Sequence, residues 1–519
     1  MTFCRIALLY LLCYAAAGAQ QLNDSLSLRL SAIRTKYKLS GISVALIRNN
    51  TILAVGSAGL ADISRSIPVT DSTLYRIASI SKTVAATALM QLYEQGKFRL
   101  DDDVSSSMGF SLRNPNYPND AITFRMVLSH TAGIVDGSGY NGFLSATGSN
   151  PVPPISSVLL PNGAYYTSDM WLNRKPGTYF TYTNMGFGVV GTLVERISGE
   201  RFDQYCIKHL FRPLGLGASF NVSDLLNINN LAVLYRTSAG LWVAQADNYK
   251  GVQPAPRDLS GYVIGSNGSL FGPQGNLRIS AKELATFMIA RMNGGFANGF
   301  RILNDSTAQL MNTPVWTYNG TNGDNYYGLF RCWGLGTHIT TNTAKGDIVI
   351  SGKTMAGHPG EAYGLISDAY YDVNKSGIGI VFLTNGRDGS YVFGASSAFY
   401  DVEEAVFAAS NDFIKSAATA VLERNNIPAS RFALMQNYPN PFNPSTTIEC
   451  TVPKTGRAIV KIFSVIGEEI TTLFDGEVQG GVRYTMEFNA SKGATAAGVY
   501  LLQLENAGNV QRKKIMLLK

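Results

Sequence analysis

Ser79 and Lys82 stand three residues apart at the opening of a helix-forming run that reaches Tyr93, so their side chains share one face and can touch. A serine hydroxyl is a poor nucleophile until a base takes its proton. Lysine can be that base if burial and a second cation lower its pKa from about 10.4, and the amino end of a helix favours negative charge on the serine oxygen. No other lysine in the chain has a serine three positions before it. Alone, Ser79-Ile80-Ser81-Lys82 reads more readily as a capping serine followed by a solvated lysine, so its weight as a catalytic pair depends on two further groups. Tyr182-Thr183-Asn184 offers a phenol and an amide. Beside lysine the phenolate is favoured, and it can take the Ser79 proton and pass it to a leaving group, while the amide can hold a substrate carbonyl and contact Lys82. In His358-Pro359-Gly360-Glu361, Gly360 admits a substrate backbone at close range. The amide N–H groups of Ser79 and Glu361 can then form an oxyanion hole, where each donor contributes about 3 kcal/mol to transition-state stabilisation. Taken singly these signals are weak: Tyr-x-Asn recurs at Tyr117 and Tyr438, and His358 is as readily a structural turn histidine.

The elements that must position these groups can be read in outline. Ile42 to Arg48 and Thr51 to Ser57 are apolar, β-prone runs joined by Asn49-Asn50, a hairpin pattern. A strand ends near Tyr75, and Gly96 stops the Ser79 helix. Short helices are expected at Ile122 to Ser129, ended by His130-Thr131-Ala132-Gly133, and at Phe202 to Phe211; longer ones at Met185 to Ser198 and, capped by Ser280, at Ala281 to Met292. Residues 134–170 and 218–275 read as irregular. From Tyr326 the pattern turns to strands at Tyr326 to Trp333, Asp347 to Ser351, Tyr363 to Tyr371 and Gly377 to Thr384, followed by a helix from Ala395 to Arg424. His358 therefore falls between two strands, on a cleft rim. Early and late strands in one sheet imply an inserted helical lobe: an α/β fold, an antiparallel sheet flanked by helices.

The chain has 519 residues, 45% hydrophobic and 15% charged, which suits a multidomain globular protein. The net charge of +7 is spread thinly, and Arg512-Lys513-Lys514 is the one tight basic run, within a strand-like segment. That excludes a nucleic-acid footprint and a polybasic membrane patch. Residues 1–19 read as a signal peptide, with Arg5, an apolar run to Ala17 and the small-x-small site Ala17-Gly18-Ala19; the run is too short to span a membrane, and no other segment qualifies. Beyond it Cys206, Cys332 and Cys450 form no disulfide framework and are expected as buried free thiols. The four histidines, His130, His209, His338 and His358, lack metal-ligand spacing, so no metal or cofactor is expected. At 425–433 the composition shifts to a linker. Pro439, Pro441 and Pro444 then forbid a helix, and about six strand-like runs follow, which fits a small β-sandwich over 434–519.

Ser-x-x-Lys, Tyr-x-Asn and His-x-Gly in this order resemble the penicillin-recognising serine hydrolases: class C β-lactamases, D-alanyl-D-alanine carboxypeptidases, and related esterases and aminopeptidases. Leu128 to Gly133, Pro213-Leu214-Gly215-Leu216 and Gly357 to Gly364 look like the family too, and the resemblance covers 24 to about 412 within an expected hydrolase domain of 20–424. It implies that Ser79 is acylated, that Lys82 and Tyr182 share the general-base and general-acid work, and that Asn184 orients the substrate. His358 takes the place of the lysine that β-lactamases set against the substrate carboxylate. Neutral histidine holds a carboxylate less firmly, Pro359 lacks a threonine hydroxyl, and an inward Glu361 would repel an anion, so the expectation is a peptidase or esterase. A β-lactamase, or a binding or sensor protein that acylates without turnover, stands as the alternative. Tyr438 to Pro444, Gly498-Val499-Tyr500 and the final Lys513 to Lys519 resemble the type A sorting domain of type IX secretion. That implies the secretion machinery as a partner of 434–519 and a secreted or cell-surface product; a carbohydrate-binding sandwich is the other reading, without an aromatic platform to support it.

Overall fold

A computed structural model describes residues 20–374, 376–426, 431–490 and 496–518. The expected signal peptide at 1–19 and residues 427–430 of the expected linker lie outside the described residues. Two compact units emerge: Leu30–Ser410, and Asn411–Lys519 with the residues up to Arg29.

The larger unit is organised on an antiparallel sheet. After α1 (20–36), β1 (Gly41–Arg48) turns back on β2 (Thr51–Asp62) through Asn49 and Asn50, both left-handed (φ 52 and 58) as a two-residue type I′ turn demands. β3 (Ile67–Pro68) extends that edge. The remaining strands come from late in the chain: β4 (Trp316–Thr317), β5 (Cys332–Trp333), β6 (His338–Ile339), β7 (Met355–Ala362), β8 (Leu365–Asp372) and β9 (Gly379–Thr384). The sheet order is β4-β5-β6-β7-β8-β9-β1-β2-β3. β1 thus joins the early hairpin to β9, with Ile42 opposite Thr384.

Helices α2 (Ser81–Glu94), α3 (Met185–Ser198) and α4 (Ala281–Met292) carry the core. Their boundaries at Met185–Ser198 and Ala281–Met292 match the expectation, because sequence marks both ends: Gly199 closes α3 in the left-handed region (φ 73), and Ser280 and Glu283 form a reciprocal capping box on α4. α4 lies against β1, β8 and β9, and α2 packs on α3. In α2 eleven of fourteen residues are buried, Ser81, Lys82 and Thr83 included, the pattern of a helix enclosed on nearly all sides.

The late strands depart from expectation. Tyr326–Gly328 is a turn with Tyr326 and Tyr327 left-handed (φ 48 and 60), and only Cys332–Trp333 of that run is strand. Residues 347–351 form bends and a turn instead of a strand, and the final helix, α5 (Asp401–Asn426), starts six residues late. His358 lies inside β7, not between strands. Its neighbours Gly357, Pro359 and Gly360 hide the alternation that marks a strand. Proline is tolerated because β6 pairs only as far as Gly357, leaving the rest of β7 open on that side.

The C-terminal unit holds two sheets. β10 (Ala433–Leu434), β11 (Ser445–Thr451) and β14 (Arg483–Asn489) form one, in the order β10-β11-β14; β12 (Gly456–Ser464), β13 (Glu469–Val478), β15 (Gly498–Asn506) and β16 (Asn509–Leu517) form the other, in the order β13-β12-β15-β16. Leu434, Ile448, Cys450 and Phe488 of the first pack with Val460, Ile462, Leu502, Leu504 and Ile515 of the second, the two-layer core of a β-sandwich.

Candidate active site

The strand Leu74–Arg76 ends in a tight turn, Ala78–Ile80, that runs into α2. Ala78 is left-handed (φ 46), a conformation that costs a non-glycine residue about 1–3 kcal/mol and persists where surrounding structure holds it, often at functional sites. Ser79 emerges from this turn half-buried, and Lys82 is fully buried one turn on.

Lys82 Nζ lies 3.0 Å from Ser79 Oγ, 2.8 Å from Asn184 Oδ1 and 2.9 Å from the Gln274 carbonyl oxygen. Burial lowers its pKa to about 7, and the negative charge of Asp136 works the other way. The expected second cation is not the cause: desolvation alone does the lowering.

The Tyr182 ring sits 4.7 Å under the Lys82 amine. His130 positions the segment, since its carbonyl accepts from Thr181 N at 2.9 Å and its Nδ1 accepts from Thr183 N at 3.1 Å. The Tyr182 hydroxyl is buried without a hydrogen bond of ordinary geometry. Burial drives its pKa well up, and the neighbouring Ser79 hydroxyl pulls it part of the way back. The expectation of a phenolate is therefore overturned: the low-dielectric surroundings penalise the charge, and the negative charge of Asp136 adds to the penalty.

β7 brings the third group. A Cβ on Gly360 would stand 2.4 Å from Ser367 Oγ, 2.7 Å from the Ile77 carbonyl and 3.2 Å from Ser79 N, so only glycine lets this strand lie against the serine turn. Ser367 Oγ on β8 donates to the Ile77 carbonyl at 2.9 Å and ties strand to turn. His358 is buried, with Nδ1 2.5 Å from the Pro359 carbonyl oxygen. Burial and the nearby Lys82 hold its pKa well below the usual range, so the ring is neutral. Glu361 is exposed, and its carboxylate accepts from Tyr400 Oη at 3.0 Å.

The structure therefore brings Ser79, Lys82, Tyr182, Asn184, His358 and Gly360 into one cluster, with Glu361 exposed beside it. Sequence reasoning missed Asp136. Its carboxylate accepts from Thr183 Oγ1 at 2.9 Å, Asn184 N at 2.9 Å, Asn184 Nδ2 at 2.8 Å and Met185 N at 2.8 Å, at the amino end of α3. The aspartate lies just past the His130-Thr131-Ala132-Gly133 segment, but no spacing rule ties it to residues 48 positions on. Gln274 was missed because it acts through a backbone carbonyl, which any residue has. Among the described residues no group of three or more His, Cys, Asp or Glu is placed to hold a metal, and no helix is long and apolar enough to cross a membrane.

The Secretion system C-terminal sorting domain matches residues 436–518, which marks the chain for export. Penicillin-binding protein 4 of Amycolatopsis lactamdurans is 24% identical over 310 residues, 58% of this chain and 74% of its own. Other curated relatives match less of their length: the putative penicillin-binding protein PbpX of Bacillus subtilis is 30% identical over 33% of this chain and 39% of its own. Protein flp of Staphylococcus aureus (strain MW2) is 24% identical over 34% of each chain. Among solved structures, D-amino acid amidase from Ochrobactrum anthropi SV3 superposes with a TM-score of 0.56 at 19% identity, over 76% of this chain and 99% of its own. The octameric penicillin-binding protein homologue from Pyrococcus abyssi gives 0.54 at 19% identity, over 96% of both chains. EstCE1, a hydrolase with promiscuous acyltransferase activity, gives 0.53 at 20%, over 74% of this chain and 99% of its own. These structural likenesses speak to the fold. The Beta-lactamase family model matches residues 23–397, most of the chain and every residue of the cluster, and the chain belongs to that family of serine hydrolases.

Proposed function

We propose that this protein is an exported serine hydrolase that forms an acyl-enzyme on Ser79 and cleaves peptides or amides of D-amino acids, or esters. One observation carries the reading: a buried lysine with pKa near 7 beside the serine. A neutral Lys82 has two N–H groups, and two carbonyl oxygens, Asn184 Oδ1 and Gln274 O, stand ready to accept them. Its lone pair is left for the third neighbour, the Ser79 hydroxyl, so Lys82 is the base that takes the serine proton. Ser79 Oγ attacks the acyl carbon, and the N–H groups of Ser79 and Glu361 hold the developing oxyanion. The neutral Tyr182 phenol donates its proton to the leaving group and takes the proton held by the Lys82 ammonium in exchange, so that the lysine is neutral again when the acyl-enzyme has formed. Water then releases the acyl group by the same steps in reverse. Asn184 and the open edge of β7, with His358 and Gly360, hold the substrate.

A neutral, buried His358 offers no cation to a substrate carboxylate, and Pro359 no hydroxyl. Both weigh against an efficient β-lactamase and toward amides and esters, in line with the amidase among the structural relatives. In this reading 20–424 is the hydrolase, 425–433 a linker and 434–519 the sorting module that type IX machinery recognises. Residues 1–19 direct the first export step, and the product is secreted or held at the cell surface.

The test is acylation followed by turnover. A fluorophosphonate should label Ser79, seen by mass spectrometry, with no label on Ser79→Ala. The purified protein should then turn over p-nitrophenyl esters or D-peptides faster than nitrocefin. Label elsewhere ends the proposal; label at Ser79 without turnover of any of the three substrates favours the non-catalytic sensor.

A further inference from the structure

Among the described residues Asp136 is the carboxylate whose charge acts on Lys82, and it also acts on Tyr182, Tyr140 and Tyr326. We propose that Asp136 is a positioning residue of this site: it fixes which end of the Asn184 amide faces Lys82, and so sets the direction in which the Ser79 proton moves. The inference rests on the reading of Lys82 as base for Ser79.

An asparagine amide can sit either way round, and its neighbours decide. A carboxylate only accepts hydrogen bonds. Asp136 Oδ2 at 2.8 Å therefore demands the Asn184 NH2 group, which leaves Oδ1 for Lys82 at 2.8 Å. With Oδ1 facing it, neutral Lys82 spends an N–H on Asn184 and another on Gln274 O, and presents its lone pair to Ser79. With the amide reversed, the NH2 group would claim that lone pair, and Lys82 would donate to Ser79 Oγ rather than accept from it. The serine would then keep its proton. Three backbone and side-chain donors, Asn184 N, Met185 N and Thr183 Oγ1, hold the carboxylate in place, so it cannot follow a flipping amide.

The titratable groups facing Lys82 from the surrounding elements are Asp136, Tyr182, His130 and His358. Burial keeps both imidazoles and the phenol neutral. Asp136 is thus the charged partner that opposes the desolvation of Lys82.

Three variants test this on the full chain, using kcat/KM for a neutral p-nitrophenyl ester against pH. In the wild type the acid limb should have its midpoint near 7, the value burial gives Lys82. Asp136→Asn removes the charge and lets the amide turn either way: the midpoint should move down, and the plateau should fall about tenfold or more. Thr183→Ala removes one contact of the same helix end but leaves the Asp136–Asn184 pair, so it should lower the Tm without moving the midpoint. The double exchange Asp136→Asn with Asn184→Asp returns one carboxylate to the pair, now against Lys82, and should raise the midpoint; it also serves if the single variant does not fold. A midpoint that stays put in Asp136→Asn or in the exchange overturns the inference, as does an equal shift in Thr183→Ala. Fluorophosphonate labelling of the wild type separates the two levels: label at Ser79 with unmoved midpoints sinks only the role of Asp136, and no label at Ser79 sinks the reading beneath it.

Discussion

Lys82 is held by three oxygens and surrounded by rings, and its chemistry follows from the water it lacks. A lysine that works as base must lose its proton, so activity should rise with pH through about 7 and not through the ordinary lysine value near 10.5. Replacing Lys82 with Met should remove that limb and cost roughly a thousandfold in kcat/KM, the middle of the range that one positioned proton acceptor supplies. A limb that stays near 7 in Lys82→Met would move the base elsewhere. Sequence disclosed Ser79 and Lys82 because helical spacing is a local rule, and Asn184 because it lies beside Tyr182 at the start of a legible helix. It could not disclose the protonation states. The sequence makes burial one of two causes at Lys82 and favours a Tyr182 phenolate beside lysine, whereas in the fold desolvation lowers Lys82 by itself and raises Tyr182.

At the scale of elements, the site depends on β7 lying flush against the serine turn. Gly360→Ala puts a methyl against the Ile77 carbonyl, a backbone atom with little freedom to retreat, and against Ser79 N on the same turn. Acylation should fall about a hundredfold, as expected when an oxyanion donor is displaced by a fraction of an ångström. Gly364→Ala, at a turn whose φ of 93 also demands glycine, should lower the Tm and leave acylation nearer the wild type. Equal losses of acylation in the two would show that strand strain, not approach to Ser79, governs the site. The back of the same sheet holds a second device. Asp368 on β8 and Glu403 in the first turn of α5 are buried together, and burial raises both pKa values, Glu403 to about 7; the Glu403 charge adds to the rise at Asp368, whereas at Glu403 the hydrogen bonds with Tyr400 N and Asp368 work the other way and the charges of Glu361 and Asp401 add to it. A carboxyl raised on folding binds its proton more tightly in the folded state. Its stabilisation is complete below about 4.5 and is lost as pH rises through about 7. Glu403→Gln should therefore gain on the wild type by about 2–3 kcal/mol between about pH 5 and about pH 8, measured by denaturant unfolding. A constant difference across that range would mean the pair does not share a proton. The sequence hid this pair as it hid β7: α5 and β8 are far apart in the chain, and their contact follows from the sheet order, which no local pattern encodes.

Across the whole molecule, the proline-rich stretch after 425 and the change from helical to strand periodicity are local signals of a second, β-rich part, while the compact units divide earlier, between Ser410 and Asn411, inside a helix that no composition shift marks. Each unit has its own hydrophobic core, one around α2, α3 and α4, the other between the two sheets of the sandwich. Two cores allow two unfolding events. Leu502 is fully enclosed in the sandwich, and truncating it to alanine leaves a cavity expected to cost about 2–5 kcal/mol. That loss should fall on one transition in a calorimetric scan of the full chain. The other transition, and the rate at which Ser79 is labelled by a fluorophosphonate, should stay as in the wild type. In the cell the same variant should reduce the amount of protein exported if the folded sorting module is what the secretion machinery recognises, while the specific activity of whatever is exported stays the same. A Leu502→Ala chain whose two transitions shift together, or whose Ser79 labels more slowly, would show that the sandwich supports catalysis as well as export. The units would then be coupled parts of one enzyme rather than an enzyme carrying its address.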